Sequence, residues 1–259
     1  IAACLLLVDR PGRSNSTLKV GTSAVRKPPH VVKPPRMRPG LCDASGRCRE
    51  DAAVPHPRGE FSARSPEQLT GWHETHKHLV EQSTKMFAEG APPVDVMFVG
   101  DSITEFLTGL SLNRPCCEGQ AEAFSEAWAG KVVFASGISG DQTQHLLYRL
   151  ATDELPPDAP VAAIVVLIGT NNLGAGMKPE DAARGVVAVV EAVRARVPGA
   201  RVYVEELFPR GRIQGKVAAM NALVREAVGG MDGEGLRLMK CGALLAQNSA
   251  DKEEEDWVP

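Results

Sequence analysis

One stretch decides the fold of this chain: Val94-Asp95-Val96-Met97-Phe98-Val99-Gly100-Asp101-Ser102-Ile103-Thr104. Its first six residues are apolar and largely β-branched apart from Asp95, as in a strand covered on both faces. Gly100 allows a sharp turn, and Asp101 and Ser102 are both good starters of a following helix. Open α/β sheets carry their chemistry at the carboxyl ends of their strands, where Ser102 is expected to lie. From this segment alone, the plainer interpretation that Asp101 and Ser102 only cap a helix stays open.

Outward from this stretch, predicted strands alternate with predicted helices. The strands are Val94–Val99, Val132–Ala135, Val161–Ile168, Arg201–Leu207 and Leu236–Met239. The helices are Pro66–Ala88, Gln120–Ala129, Asp141–Leu150, Pro179–Val197 and Gln214–Val228. This alternation predicts an α/β fold, a three-layer α/β/α sandwich around a five-stranded parallel sheet, within residues 65–259.

Residues 1–64 differ from the rest of the chain in composition and charge. They are rich in Pro, Arg, Gly and Ser and lack a sustained hydrophobic period. Of the 29 Lys and Arg residues, eight lie between Arg10 and Gly40, a segment without any acidic residue. We therefore expect a basic, disordered or loosely packed arm ahead of an acidic domain. No aromatic residues interleave the basic ones, so nucleic-acid binding is not expected.

The start of the chain carries weak hints about its compartment. Ile1–Val8 is apolar but too short to span a bilayer, and it is interpreted as the remnant of a signal peptide or anchor. Asn15-Ser16-Thr17 matches a glycosylation acceptor, and Cys42 and Cys48 could close a small disulfide in an oxidising compartment. These features favour the secretory pathway or a membrane anchor. A cytoplasmic location, with a truncated start that means nothing, is the alternative.

Two further strand ends carry residues suited to ester chemistry. A serine nucleophile needs a base and hydrogen-bond donors for the developing oxyanion. The second strand runs into Ser136-Gly137-Ile138-Ser139-Gly140-Asp141, and the third into Gly169-Thr170-Asn171-Asn172. A glycine-rich loop can aim backbone N–H groups into a site, although a phosphate-binding loop would look similar. Asparagine at a strand end is also a common turn former.

Taken together, these three blocks resemble those of the GDSL, or SGNH, hydrolases, a superfamily named for its Ser, Gly, Asn and His blocks. Gly71-Trp72 with His76, then His145, then Leu207-Phe208-Pro209-Arg210-Gly211 are similar to one branch, the catalytic subunits of platelet-activating-factor acetylhydrolase IB. The resemblance covers roughly Pro66 to Pro259.

The resemblance implies a role for each block. Ser102 would be the nucleophile, and the backbone N–H of Gly140 and the side-chain amide of Asn171 would hold the oxyanion together with the N–H of Ser102. The implied activity is a serine esterase that removes a short, acetyl-like acyl group from a lipid or carbohydrate ester through an acyl-enzyme. The resemblance implies no cofactor and no metal. It also implies a homodimer or a β-propeller partner.

The fourth block of the superfamily, Asp-x-x-His, is missing from this sequence, because no histidine follows His145. The acidic segment that ends at Pro259 resembles the one that precedes this block in relatives. We therefore expect the general-base histidine and its aspartate to lie beyond Pro259, with the domain incomplete at its carboxyl end. Taken literally, the absence instead predicts a catalytically impaired binding or scaffold protein. A flavodoxin-like nucleotide binder fits the topology but not the motifs.

Three histidines lie close together at His73, His76 and His78 and suggest a metal site. Glu74 and Lys77 interleave them, so ordinary helix positions are preferred, with His76 packing near the sheet. For His145 we expect a structural role. Cys116 and Cys117 lie in a predicted loop, and the sequence assigns them no role.

Overall fold

The computed structural model describes residues 50–59, 62, 65–231 and 235–242. Several expectations concern residues outside these ranges. They are the arm up to residue 49 with its apolar start and glycosylation acceptor, the pairing of Cys42 with Cys48, and the acidic segment before Pro259.

A parallel sheet forms the centre of the fold. The strands are β1 (Val94–Gly100), β2 (Leu110–Ser111), β3 (Arg114–Pro115), β4 (Val133–Gly137), β5 (Val161–Leu167), β6 (Arg201–Glu205) and β7 (Leu236–Met239). Five of them form one sheet in the order β4-β1-β5-β6-β7, with every neighbouring pair parallel. Strands β2 and β3 form a separate antiparallel pair. The predicted α/β fold with a five-stranded parallel sheet is confirmed.

The order of the strands defines a switch point beside β1. The chain moves from β1 outward to β4 on one side and then returns to build β5, β6 and β7 on the other. The connections therefore reverse direction between β1 and β5. Ligands of open α/β sheets bind at such a switch point.

The helices in the described ranges are α1 (Pro66–Met86), α2 (Ser102–Glu105), α3 (Gln120–Ala127), α4 (Thr143–Arg149), α5 (Thr170–Gly174), α6 (Pro179–Arg196) and α7 (Gln214–Gly229). Ser65 caps α1, because its hydroxyl accepts a hydrogen bond from the Gln68 N–H at 3.2 Å. None of the helices that the structure describes is long and apolar enough to cross a membrane.

The sheet is covered on both faces. The larger core packs β-branched strand residues against α1, α4, α6 and α7 and includes Met97, Ile164 and Val189. On the other face, Phe98 packs edge-on against Phe124 of α3, with the ring centroids 5.4 Å apart. Such aromatic pairs stabilise a core beyond the area that they bury.

The packed domain begins earlier than the sequence indicates. Residues 50–59 were expected to belong to the loosely packed arm, but Ala52 and Arg58 are buried. The carbonyl of Ala52 accepts a hydrogen bond from the Thr143 hydroxyl at 2.8 Å, and the His56 N–H donates to the Gln144 carbonyl at 3.0 Å. The expectation of loose packing is wrong for this segment, because hydrogen bonds to α4 hold it without any hydrophobic period.

Candidate active site

The nucleophile candidate lies at the turn between β1 and α2. The Asp101 carboxylate accepts a hydrogen bond from the Ile103 N–H at 3.0 Å and so caps α2, whose first residue is Ser102. Asp101 is fully buried, whereas Ser102 is partly exposed. Within the described ranges, neither the N–H nor the hydroxyl of Ser102 makes a hydrogen bond. The capping interpretation therefore holds for Asp101, while Ser102 is left available.

Close packing fixes this turn against β4. Gly100 of β1 pairs with Gly137 of β4 at the carboxyl ends of the two strands. A Cβ atom at Gly137 would lie 2.5 Å from the Asp101 carbonyl oxygen and would also clash with the Glu105 backbone nitrogen. Glycine at this position therefore lets the turn that carries Ser102 lie directly against the neighbouring strand.

The loop after β4 presents Gly140 in a left-handed conformation, with φ +87°. Two charged side chains hold this loop. Glu105 accepts a hydrogen bond from the Ser139 N–H at 2.7 Å, and Arg58 donates to the Ser139 carbonyl at 2.8 Å. The N–H of Gly140 makes no hydrogen bond to any described residue. An unpaired N–H on a fixed loop is what an oxyanion donor requires.

Asn171, in the first turn of α5, brings the three blocks together. Its amide nitrogen lies 2.9 Å from the Asp141 carbonyl oxygen and 3.4 Å from a carboxylate oxygen of Asp101. Asp141 follows Gly140, and Asp101 precedes Ser102. The longer contact is weak for a hydrogen bond, so one N–H of this amide is available to a bound group.

A buried ion-pair network lies beneath these loops. Asp141 accepts hydrogen bonds from the Trp72 indole N–H at 2.6 Å and from Arg149 Nε at 2.7 Å, and all three side chains are fully buried. Arg149 also pairs with the buried Glu154. The sequence predicts that Asp141 starts a helix, but α4 begins at Thr143, and the Asp141 carboxylate is used in this network instead.

Arg149 connects the network to the nucleophile turn. Its Nη2 donates to the Gly100 carbonyl at 2.9 Å, and its Nη1 donates to the Ser136 hydroxyl at 3.1 Å. Burial alone would raise the pKa of Glu154, but the Arg149 guanidinium and a hydrogen bond from His76 lower it below its ordinary value. The Arg149 side chain thus contacts the ends of β1 and β4 and also Asp141, the residue that follows Gly140.

Two acidic groups near the strand ends bind protons more tightly than usual. Burial raises the pKa of Asp101 to about 7, and the negative charge of Asp141 adds to this shift, whereas the hydrogen bond from Ile103 opposes it. Burial also raises the pKa of Glu205, at the end of β6, to about 7. One Glu205 oxygen accepts from the Cys241 N–H at 2.8 Å, and the other is buried with no hydrogen-bond partner among the described residues.

His145 and His76 are each hydrogen-bonded to different residues. The ring of His145 accepts from the Gln142 N–H at 3.1 Å through Nδ1, so Nε2 carries the hydrogen that bonds Glu50 at 2.9 Å. His76 bonds Glu154 through Nδ1 at 2.6 Å. In the described part of the chain, no cluster of three or more His, Cys, Asp or Glu side chains has a geometry that could hold a metal ion.

Sequence reasoning missed three of the residues that shape this site, Glu105, Arg149 and Arg58. Only Arg149 carried a usable signal, because it lies three residues after the core residue Leu146 and therefore shares its buried helix face. Arg210, within one of the motifs, lies at the rim and donates to the Thr170 carbonyl at 2.9 Å.

A model of the GDSL-like lipase/acylhydrolase family matches residues 98–257. The chain belongs to this family. It is 36% identical over 163 residues to platelet-activating factor acetylhydrolase IB subunit alpha1 of Homo sapiens, covering 61% of this chain and 62% of the relative. To subunit alpha2 of Homo sapiens it is 34% identical over 132 residues, covering 51% and 52%. The chain therefore spans less than two thirds of these relatives.

A solved structure from Streptococcus pneumonia has a similar fold. Its TM-score is 0.53 at 19% sequence identity, and the match covers 74% of this chain and 87% of that one. Because the identity is low, this likeness supports the fold alone.

Proposed function

We propose that this protein is a serine ester hydrolase that works through an acyl-enzyme. The observation that carries the proposal is the convergence on Asn171. Its amide lies within hydrogen-bonding distance of groups next to both Ser102 and Gly140, whose own N–H groups are unpaired within the described ranges. These three donors lie on neighbouring loops at the carboxyl ends of the strands, as the binding of a tetrahedral oxyanion requires.

The chemistry follows from this arrangement. Ser102 Oγ attacks the ester carbonyl carbon and gives up its proton to a base, while the carbonyl oxygen becomes an oxyanion. The N–H groups of Ser102 and Gly140 and the amide of Asn171 stabilise that oxygen. The intermediate then expels the alcohol, which takes the proton from the base, and water releases the acid by the same sequence.

The family resemblance assigns the base to a histidine that is oriented by an aspartate three residues before it. Among the described residues, no histidine contacts Ser102, and His145 and His76 are hydrogen-bonded elsewhere. If no histidine serves as this base, the second candidate function is a binding protein on the same fold with little turnover. Loss of a catalytic histidine in subtilisin lowers turnover on the order of a millionfold, so the two candidates differ greatly in rate.

The acyl group is proposed to be short, such as acetyl, and the substrate to be a lipid or carbohydrate ester. The support is that the curated relatives are named acetylhydrolases.

A fluorophosphonate probe separates the two candidates, because it forms a covalent bond only with an activated serine. We expect labelling of the wild type and of Ser125→Ala, a control at an exposed serine on α3, but not of Ser102→Ala. Unlabelled wild type that still binds acetyl esters would support the binding protein. Equal labelling of Ser102→Ala would rule out Ser102 as the nucleophile.

A further inference from the structure

The loop between β3 and α3 contains a disulfide between the adjacent residues Cys116 and Cys117. Hydrogen bonds hold both ends of this pair. The Cys116 N–H donates to the Gly109 carbonyl at 2.8 Å, and the Gln120 N–H donates to the Cys117 carbonyl at 3.0 Å. The backbone of Cys117 is in the left-handed region, with φ +56°, a conformation that residues other than glycine adopt rarely. The bridged pair is therefore a fixed element of the loop.

Cys117 is part of the wall of a cavity beside the nucleophile. The cavity has a volume of ≈ 230 Å³, and its lining residues are Ile103, Phe106, Cys117, Glu118, Gln120 and Phe208. Ile103 directly follows Ser102 in α2, and Phe106 lies one turn further on. The cavity is thus lined by the residue that directly follows the candidate nucleophile.

The lining indicates what the cavity can bind. Three of its side chains are apolar, the disulfide adds an apolar surface, and only Glu118 and Gln120 are polar. Pockets for drug-sized ligands measure roughly 300–1,000 Å³, so this one suits a smaller group. A short aliphatic chain or a single ring fits both the size and the chemistry.

We propose that this cavity binds the apolar group attached to the scissile ester, and that the Cys116–Cys117 disulfide sets the shape of the cavity. The inference rests on the proposed function, since it takes Ser102 as the nucleophile. It adds a specificity element that the ester chemistry itself does not require. Opening the disulfide releases Cys117 from Cys116 and changes the part of the lining that Cys117 provides.

A dithiol supplies the electrons for this opening. One of its thiolates attacks a sulfur of the disulfide, forms a mixed disulfide and releases the other cysteine as a thiolate, which takes up a proton. The second thiol of the reagent then displaces the remaining cysteine. The reagent ends as a cyclic disulfide and the protein as two thiols, so two electrons pass from the dithiol to the protein.

The test measures binding rather than turnover. The Ser102→Ala protein is titrated calorimetrically with two ester series, in oxidised form and after dithiothreitol. One series is ethyl esters of acids of increasing length, and the other is acetates of alcohols of increasing length. We expect affinity in one series to rise up to about fourfold per methylene until the cavity is full. The responding series identifies the acyl or the alcohol side as the occupant.

Reduction should flatten the dependence on chain length in the responding series. The Cys116→Ser/Cys117→Ser double variant is built on Ser102→Ala. Its dependence of affinity on chain length should equal that of the reduced protein and should not change when dithiothreitol is added. This variant also controls for the other four cysteines of the chain. If it fails to fold, the single variant Cys116→Ser on the same background, which also cannot form this disulfide, takes its place.

Three results would overturn parts of the inference. Affinity independent of length in both series would refute the cavity as an ester subsite. An unchanged length dependence after reduction would refute the role of the disulfide, and a dithiol response that persists in the double variant would assign it to another cysteine. Because Ser102→Ala cannot turn over, these outcomes are distinct from a failure of wild-type protein to hydrolyse esters.

Discussion

Replacing Arg149 by methionine should destabilise this protein more than almost any other single change. Methionine has a similar length and adds no new polar group, but it removes the positive charge and all the donors. The structure gives Arg149 hydrogen bonds to Asp141, Glu154, Ser136 and the Gly100 carbonyl, all at a fully buried position. Two carboxylates would be left in the core without their cation.

The size of the effect follows from the burial. Breaking a buried ion pair by removing one partner costs about 3–5 kcal/mol, because the remaining charge is uncompensated. Total stabilities of roughly 5–15 kcal/mol mean that this loss brings the protein close to unfolding. Most of the loss should come from the orphaned carboxylates. Adding Glu154→Gln to Arg149→Met should therefore recover part of it.

Urea unfolding at neutral pH, followed by tryptophan fluorescence and circular dichroism, measures this loss. Arg225→Met is the matched control, because Arg225 pairs with Glu206 at 2.8 Å but is 48% exposed. Exposed pairs contribute about 0–1 kcal/mol, so the control should change stability by no more than that. Equal stability of the two variants would refute the assignment of Arg149 as the centre of the network.

Three further predictions concern single residues. Asn171→Ala should lower kcat for an acetyl ester about 10²–10³-fold with little change in KM, because it removes one oxyanion donor. Gly140→Ala should lower kcat and cost about 1–3 kcal/mol in urea unfolding, because φ is +87° and the new Cβ would lie 2.6 Å from the Arg58 guanidinium. The wild type should lose stability as pH rises from 4.5 to 7, and Glu205→Gln should reduce this loss by roughly 1–3 kcal/mol, while the share that belongs to Asp101, whose pKa is also raised to about 7, remains.

The sign of the pH effect follows from the pKa of Glu205, which folding raises from 4.5 to about 7. Between these two values the folded state binds more protons than the unfolded state, so stability falls as pH rises. A stability of the wild type that rises with pH over this window would contradict the assignment to Glu205.

For Asn171→Ala and Gly140→Ala, an unchanged kcat would show that the substituted group does not contact the oxyanion.

The sequence predicts the sheet and the three strand-end blocks because these depend on local pattern. The apolar run Val161–Ile168 could only be a buried strand or helix segment, and Gly169 directly after it indicates where the strand ends. Ser102, Gly140 and Asn171 each follow such a run, and parallel strands bring their carboxyl ends to one edge. The alternation of strands and helices therefore predicts that Ser102, Gly140 and Asn171 lie near one another, without any knowledge of their contacts.

The supporting network could not be predicted in the same way. Glu105 lies one turn after Ser102 and would pass for an exposed helix residue, yet it bonds Leu112 and Ser139, two backbone groups from separate loops. Such contacts depend on loop geometry, which leaves no period in the sequence. Residues 50–59 could not be placed from the sequence for the same reason. Their polar composition suggests that they are exposed to solvent, but hydrogen bonds hold them to α4.

The covalent intermediate tests the central claim most directly. The wild type and Ser102→Ala are mixed with an excess of an acetyl ester, quenched in acid within milliseconds to seconds, digested and sequenced by mass spectrometry. We predict one acetyl group on Ser102 in the wild type and none on the matching peptide of the variant. Hydrolysis that proceeds without an adduct at Ser102, or with the adduct on another residue, would contradict the acyl-enzyme mechanism.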